Sequence, residues 1–203
     1  VSIPLTAVSG EQLERQFAQD LRDLTDQSPN VQFEPVGIFQ NSASFSIRGQ
    51  GTGDIESAAD GKVGIYTDGV VAARVSTALS DMVDIQAVEI LRGPQGTLFG
   101  KNTVGGVINV IRSRPTGEAG ARLQLTVGED GQNEQRAVIN LPSSGNLKTK
   151  LFMTQMKDDG WLPNVTSGKK IPRKNYSNYG LAFLWEPSDK FNALLTIDQI
   201  MDN

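Results

Sequence analysis

From residue 121 to residue 198 the chain alternates. ARLQLTV (121 to 127) sets Ala121, Leu123, Leu125 and Val127 against Arg122, Gln124 and Thr126, and EQRAVINL (134 to 141) sets Ala137, Ile139 and Leu141 against Arg136 and Asn140. LKTKLFMTQM (147 to 156), YSNYGLAFLW (176 to 185) and KFNALLTID (190 to 198) continue the pattern. Their apolar sides are Leu147, Leu151 and Met153, then Tyr179, Leu181, Phe183 and Trp185, then Phe191, Ala193, Leu195 and Ile197. A period of two puts successive side chains on opposite faces of an extended strand, so the five segments predict strands rather than amphipathic helices. Two folds use such strands. A soluble antiparallel sandwich turns the apolar face to its core and wets the polar one, whereas an outer-membrane barrel turns the apolar face to lipid, with strands of only about ten residues.

The connections are GEDGQN, PSSGN, the long polar stretch KDDGWLPNVTSGKKIPRKN (157 to 175) and EPSD. Successive hairpins place PSSGN and EPSD at one end and the two longer loops at the other, the asymmetry of short periplasmic turns and long outer loops. Trp185 and Phe191 flank EPSD at one level, where an interfacial aromatic girdle belongs. Five strands cannot close, since barrels use an even count of at least about eight. On the barrel reading the chain is the front of a longer protein whose remaining strands follow Asn203.

Residues 1 to 115 have another texture. Ser9 with Gln12 gives a capping-box start, and Leu13, Phe17, Leu21 and Leu24 recur at helical spacing, predicting one amphipathic helix over 10 to 26 that ends at Ser28, Pro29 and Asn30. Short glycine-broken strands follow in VQFEPV, SASFSIRG, KVGIYTDGV, AVEILRG and GVINVIRSRP, with a second helix at 76 to 85. The expected organisation is an α+β domain over 1–115, then an antiparallel strand region over 116–203.

Composition removes most chemistry. The chain has no histidine and no cysteine, which excludes Ser-His-Asp hydrolysis, thiolate metal sites and a disulfide framework. A net charge of -4 gives no footprint for nucleic acid. No run of about 18 apolar residues exists to form a spanning helix, and VSIPLTAV lacks the basic start and apolar centre of a signal peptide, so the chain is processed or begins part-way into a longer protein. LRGPQGTLFGKNTVGGVINV (91 to 110) invites comparison with a phosphate-binding loop. It fails at Gln95, where the first glycine belongs, and at Asn102, where a hydroxyl belongs. RGQGTG (48 to 53) misses the dinucleotide spacing, and the scattered acidic residues lack EF-hand order. No cofactor, no metal site and no enzymatic activity are expected.

VEILRGPQGTLFGKNTVGGVINVIRSRP (88 to 115), with FSIRG (45 to 49) and IYTDGV (65 to 70) ahead of it in order, closely resembles the plug-domain signature of TonB-dependent outer-membrane receptors. IPLTAVSGEQLERQ, a helix and SPNV also look like the start of that plug. The resemblance covers about residues 3 to 115, and the strands after it by texture alone. It implies a plug with a small mixed sheet and helices, followed by the first strands of a barrel of about 22 strands. It also implies active uptake of a scarce nutrient, most often a ferric siderophore, otherwise cobalamin, haem, a metal or an oligosaccharide. The implied partners are TonB of the inner-membrane energy-transducing complex, a small extracellular ligand and outer-membrane lipid, and the implied location is the bacterial outer membrane. Arg48 and Arg92 match family arginines that pair with barrel glutamates and anchor the plug, Glu89 is expected to share in that plug-barrel anchoring, and Glu89 and Asp84 occupy familiar acidic positions. Phe39, Gln40 and Asn41, and Val71, Ala72, Ala73 and Arg74, fall where the family's outward plug loops meet ligand. No TonB-hooking segment is recognisable before IPLTAV, so it is expected upstream of Val1. The glycines are expected where plug backbone turns tightly or lies close to its neighbours.

Overall fold

In a computed structural model the described residues are 4–16, 18, 21–36, 39–51, 61–72, 84–166, 168, 170–171 and 174–202. Two units divide the chain, Val1–Arg112 and Ser113–Asn203.

The first unit is built on a mixed sheet. Its strands are β1 (Leu5–Ser9), β5 (Val63–Thr67), β6 (Val70–Val71), β7 (Ile85–Arg92) and β8 (Gly106–Arg112), in the order β1-β7-β8-β5-β6. β5 and β8 run parallel, and the other pairs are antiparallel. A smaller antiparallel sheet joins β2 (Val31–Val36), β3 (Phe39–Ile47) and β4 (Gln50–Gly51). Val88, Ile90, Val107 and Ile108 are fully buried, and Val8, Val31, Phe33, Phe45, Ile47, Ile65 and Val110 complete the apolar core around them. Phe33 and Phe45 meet edge to face across β2 and β3 at 5.3 Å.

The helix expected over 10 to 26 is not one helix. Ser9 caps α1 (Gly10–Arg15) by accepting from the Gln12 amide at 3.2 Å, but α1 ends at Gln16, and a 3-10 segment follows at Leu21–Gln27. The Ala18 amide reaches the Leu13 carbonyl, which widens the turn and closes the α-helical run. Leu13, Leu21 and Leu24 of the expected stripe are buried, as is Ala18, while Phe17 lies outside the described residues. The leading IPLTAVS also holds a strand the pattern did not signal, β1, which pairs with β7 from Leu5↔Leu91 to Ser9↔Ala87. The helix expected at 76 to 85 lies outside the described residues up to 83, and Ile85 already belongs to β7.

The glycine stretch curls into a loop over the sheet. A single turn, α2 (Gly96–Phe99), is held by Tyr66, whose hydroxyl donates to the Phe99 carbonyl and whose ring meets Phe99 at 4.9 Å. Gly106 is required by space, because a Cβ there would stand 2.3 Å from the Leu91 carbonyl oxygen. Gly105 is similarly pressed between Gln50 and the Lys62 carbonyl.

The second unit is a five-stranded antiparallel meander of β9 (Gly120–Val127), β10 (Asn133–Ser144), β11 (Leu147–Asp158), β14 (Lys174–Ser188) and β15 (Phe191–Asp202). Between β11 and β14 the long loop makes a minimal hairpin of β12 (Leu162–Pro163) and β13 (Lys170–Ile171). The register lines up Leu123, Ala137, Met153 and Tyr179 across one face, with Ile139, Leu151, Leu181 and Ile197 beside them. This apolar face is the open one: Leu125 is 78% exposed and Ile197 58%. The other face holds Glu134, Lys150, Thr154 and Asn178 together with Phe152, Ala182 and Leu184, all buried. A soluble sandwich requires the reverse, so the alternation here is that of a barrel wall. Among the described residues no helix is long and apolar enough to cross a membrane.

Trp185 and Phe191 stand beside the turn between β14 and β15 with rings 5.8 Å apart, both about half exposed, at the level expected of an aromatic girdle. At the opposite end the two longer loops are tied together. Asp130 accepts from the Lys170 ammonium, and the Asp159 amide donates to the Asp130 carbonyl. The Asp130 hydrogen bond, followed by its charge, holds the Lys170 ammonium above the usual lysine pKa against an opposing contribution from desolvation, with the Asp159 charge adding least.

Candidate functional site

Two hairpins and a strand end bring Arg48 and Arg92 to one corner of the first unit. Ile47↔Gln50 pairing leaves Arg48 and Gly49 as a two-residue turn, with φ of 54° and 72°. Positive φ at both positions suits the right-handed twist of a hairpin, but the first costs an L-residue with a bulky side chain on the order of 1–2 kcal/mol. The Arg48 amide donates to the Asn30 carbonyl at 2.8 Å, which closes this turn on the turn before β2.

Arg92 ends β7. Its amide donates to the Pro4 carbonyl and its guanidinium Nη1 to the Pro29 carbonyl at 3.3 Å, while its Nε is buried without a hydrogen-bond partner among the described residues. Next comes Gly93, with φ of 98°, and the Arg48 guanidinium packs there, its Nη1 3.6 Å from where a Cβ would stand. A cleft of about 610 Å³ opens beside them, lined by Thr25, Ser28, Pro29, Asn30, Val31, Gln32, Arg48 and Gly49. Among the described residues no carboxylate pairs with either guanidinium. Two cations at one corner repel each other, so the arrangement suits an anionic partner.

Glu89 is not brought to this corner. It occupies the face of β7 opposite Val88 and Ile90 and accepts from Asn109 Nδ2 at 3.1 Å across the sheet. Phe39, Gln40 and Asn41, expected as a loop ahead of the next strand, are already inside β3, at the tip of the hairpin where Val36 pairs with Phe39. Phe39 pairs with Val36, whereas Gln40 and Asn41 fall in the register shift between the Val36↔Phe39 and Pro35↔Ala43 pairs. Val71 ends β6 and Ala72 donates its amide to the Ile65 carbonyl, while Ala73 and Arg74 lie outside the described residues. Asp84 has a positive φ of 53° at the start of β7.

Sequence reasoning passed over Asp68. The Asp68-Gly69 pair forms a hairpin turn with φ of 50° and 81°, and the Asp68 carboxylate takes two hydrogen bonds from Arg112, from its amide at 2.9 Å and its Nε at 2.6 Å. The D-G pair in IYTDGV could have signalled the turn; the partner at Arg112 is 44 residues on and no local pattern announces it. Among the described residues no cluster of acidic side chains suits a metal ion.

Comparison with known proteins agrees with this architecture. The model of the TonB-dependent receptor plug domain matches residues 1–107. The pesticin receptor of Yersinia enterocolitica is 34% identical over 109 residues, covering 52% of this chain and 16% of the relative. The vitamin B12 transporter of Vibrio vulnificus is 28% identical over 130 residues, covering 64% and 21%. The crystal structure of the ferric yersiniabactin uptake receptor from Yersinia pestis superimposes with a TM-score of 0.79 at 25% identity, over 92% of this chain and 29% of that one. The chain thus spans less than a third of the length of these proteins. A mixed-sheet unit that matches the plug model, followed by a sheet whose apolar face is turned outward, places the chain in the TonB-dependent receptor family of the bacterial outer membrane.

Proposed function

We propose that the chain supplies the plug and adjoining wall of a receptor that takes up a ferric siderophore across the outer membrane, energised by TonB. The observation that carries the reading is the inverted sheet directly following the plug unit, since a lipid-facing wall joined to a separate folded domain is the construction of a gated pore. Lipid leaves no sheet edge unpaired, so in a receptor of the relatives' size the wall continues from both β9 and β15. Arg48 and Arg92 anchor the plug by pairing with barrel carboxylates, and Glu89, which also accepts from Asn109, shares in that anchoring. Ligand contact is assigned to Phe39, Gln40, Asn41, Ala73 and Arg74, where the Arg74 cation suits an anionic chelate. Iron cargo is supported by the likeness to a ferric yersiniabactin uptake receptor. A non-iron cargo is the second reading, supported by the relative named as a vitamin B12 transporter.

The full-length receptor, expressed in cells lacking their own siderophore and cobalamin receptors, tests both. Uptake of radiolabelled ferric yersiniabactin that stops when the proton-motive force is collapsed is the expected result. Accumulation of labelled cobalamin instead selects the second reading. Uptake indifferent to the proton-motive force overturns the energised mechanism, and recovery of the protein folded in the soluble periplasm overturns the membrane assignment.

A further inference from the structure

Two features lie one beyond the other along the open face of the second unit. The first is a predominantly apolar groove of about 440 Å³ among Ala137, Leu151, Met153, Tyr179, Leu181 and Ile197. Ala137 is the shortest side chain in the cross-strand row Leu123, Ala137, Met153 and Tyr179, so the surface dips between its neighbours. The second feature, toward the long loops, is polar. β10, β11 and β14 pair Asn133 with Lys157 and Lys157 with Asn175, and, next to the groove, Gln135 with Gln155 and Gln155 with Ser177. Alternation puts these residues on the same side as Leu151 and Met153, and all but Ser177 are well exposed.

Lys157 is a cation that no carboxylate pairs with among the described residues. The acids close to it in the fold are engaged elsewhere: Asp158, on the opposite face, accepts from the Gly160 amide at 2.6 Å, and Asp130 holds Lys170. Directly opposed residues of antiparallel strands stand about 5 Å apart at Cβ, so Asn133 and Asn175 flank the ammonium within reach of one ligand group. Asn133 Oδ1 accepts from Gln135 Nε2 at 3.2 Å, which leaves the Asn133 amide nitrogen as a donor. An ammonium with carboxamide N–H groups on either side is a donor set for phosphate oxygens. Lys157 stands four residues beyond Met153 on β11, roughly 13 Å along the strand. At a strand tilt of about 40° that is roughly 10 Å of depth, enough to cross a headgroup layer of about 5–7 Å and enter the hydrocarbon.

We infer that this face seats a phosphate-bearing anionic lipid of the leaflet at the long-loop end, its phosphate on Lys157, Asn133 and Asn175 and one acyl chain in the groove. This rests on reading the open face as the lipid-facing one. The unpaired cation supplies charge complementarity, and the groove continues the apolar face without a break. A soluble anion meets only the polar half, where water competes for every donor, whereas a lipid also fills the groove.

Native mass spectrometry of the full-length receptor in detergent micelles, titrated with dioleoyl phosphatidic acid, tests the seat with no transported ligand present. One phosphatidic acid is expected to be retained more tightly than dioleoyl phosphatidylcholine. Lys157→Gln is expected to weaken that retention roughly fivefold, the factor one lysine supplies at an anionic lipid surface; Lys157→Arg should keep most of it, and Lys190→Gln, at the short-turn end, should change nothing. Ala137→Phe, which fills the groove and leaves every charge in place, is expected to weaken both lipids. Equal retention of the two lipids by the unaltered receptor overturns the phosphate contact, as does full retention of phosphatidic acid by Lys157→Gln. Displacement of phosphatidic acid by an equal concentration of glycerol 3-phosphate, or full retention of both lipids by a folded Ala137→Phe receptor, overturns the acyl seat. If Ala137→Phe fails to fold, the glycerol 3-phosphate competition decides that half. Uptake is not read, so failure of the seat is distinct from failure of the proposed function.

Discussion

The two units solve opposite problems with the same kinds of side chain. In the plug, Val88, Ile90, Val107 and Ile108 are fully buried and the charged residues lie outside that core. In the wall, Leu123, Leu125 and Val127 are exposed by 74% or more, while Glu134 and Lys150 are buried at 2%. The difference teaches that alternation fixes which residues share a face and not which face is inside; the surrounding medium decides that. Water on the outside buries the apolar side, and hydrocarbon on the outside exposes it.

Truncation separates the units most sharply. Ile108→Ala, in the packed plug core, is expected to cost about 2–5 kcal/mol, whereas Leu125→Ala on the open face leaves no cavity and costs far less. Urea titration of the full-length receptor in lipid vesicles, followed by exchange within each unit, measures both; equal costs would break the comparison. A charge reverses the order. Leu125→Arg is expected to cost about 2–4 kcal/mol if it lies near the bilayer midplane, and a negligible effect on insertion would show that this face does not meet lipid.

The buried face of the wall has its own packing. Gly180 pairs with Phe152, whose ring stands where a Cβ would be, 2.2 Å from Cζ. Gly180→Ala is expected to destabilise the wall by about 1–3 kcal/mol, and Phe152→Leu in the same chain to recover part of it. No recovery would mean the ring is not what excludes the methyl.

At the plug corner, stability and function should separate. Arg48→Gly relieves the positive φ and is expected to stabilise the plug by about 0.5–1 kcal/mol, yet to lower uptake because the guanidinium is lost. A variant that is both more stable and fully active would remove Arg48 from the anchoring role.

The smallest effect is expected where the outer loops meet. Lys170 is exposed and lies outside the spanning strands, and its pKa is raised by Asp130. A raised pKa contributes stability that is complete below the ordinary lysine value and is lost as pH rises through the folded value. Lys170→Met should therefore quicken proteolysis of the loops at neutral pH and make no difference at strongly alkaline pH. A difference that persists there would point to packing instead of charge.

Legibility followed the range of the interaction. The five wall strands, their turns and the girdle pair Trp185 and Phe191 were readable because hairpins and alternation are local. β1 was not, since its five residues are held by β7 more than seventy residues away. The same holds for Asp68 with Arg112 and Lys150 with Ser113, side-chain pairs made only after the sheets form. The break between α1 and the 3-10 segment was hidden because a buried apolar stripe continues across it.

By itself the sequence determined the order of the units, the pairing of faces in the wall, the turn positions set by glycine, and the absence of thiol and imidazole chemistry. These depend on bond geometry and composition, which need no partner. Only the tertiary structure decided that the wall's apolar face is the open one, that Arg48 sits strained beside Gly93, and that Asp68 meets Arg112 and Lys150 meets Ser113. Burial and long-range hydrogen bonds arise when distant segments meet, and no window along the chain contains both partners.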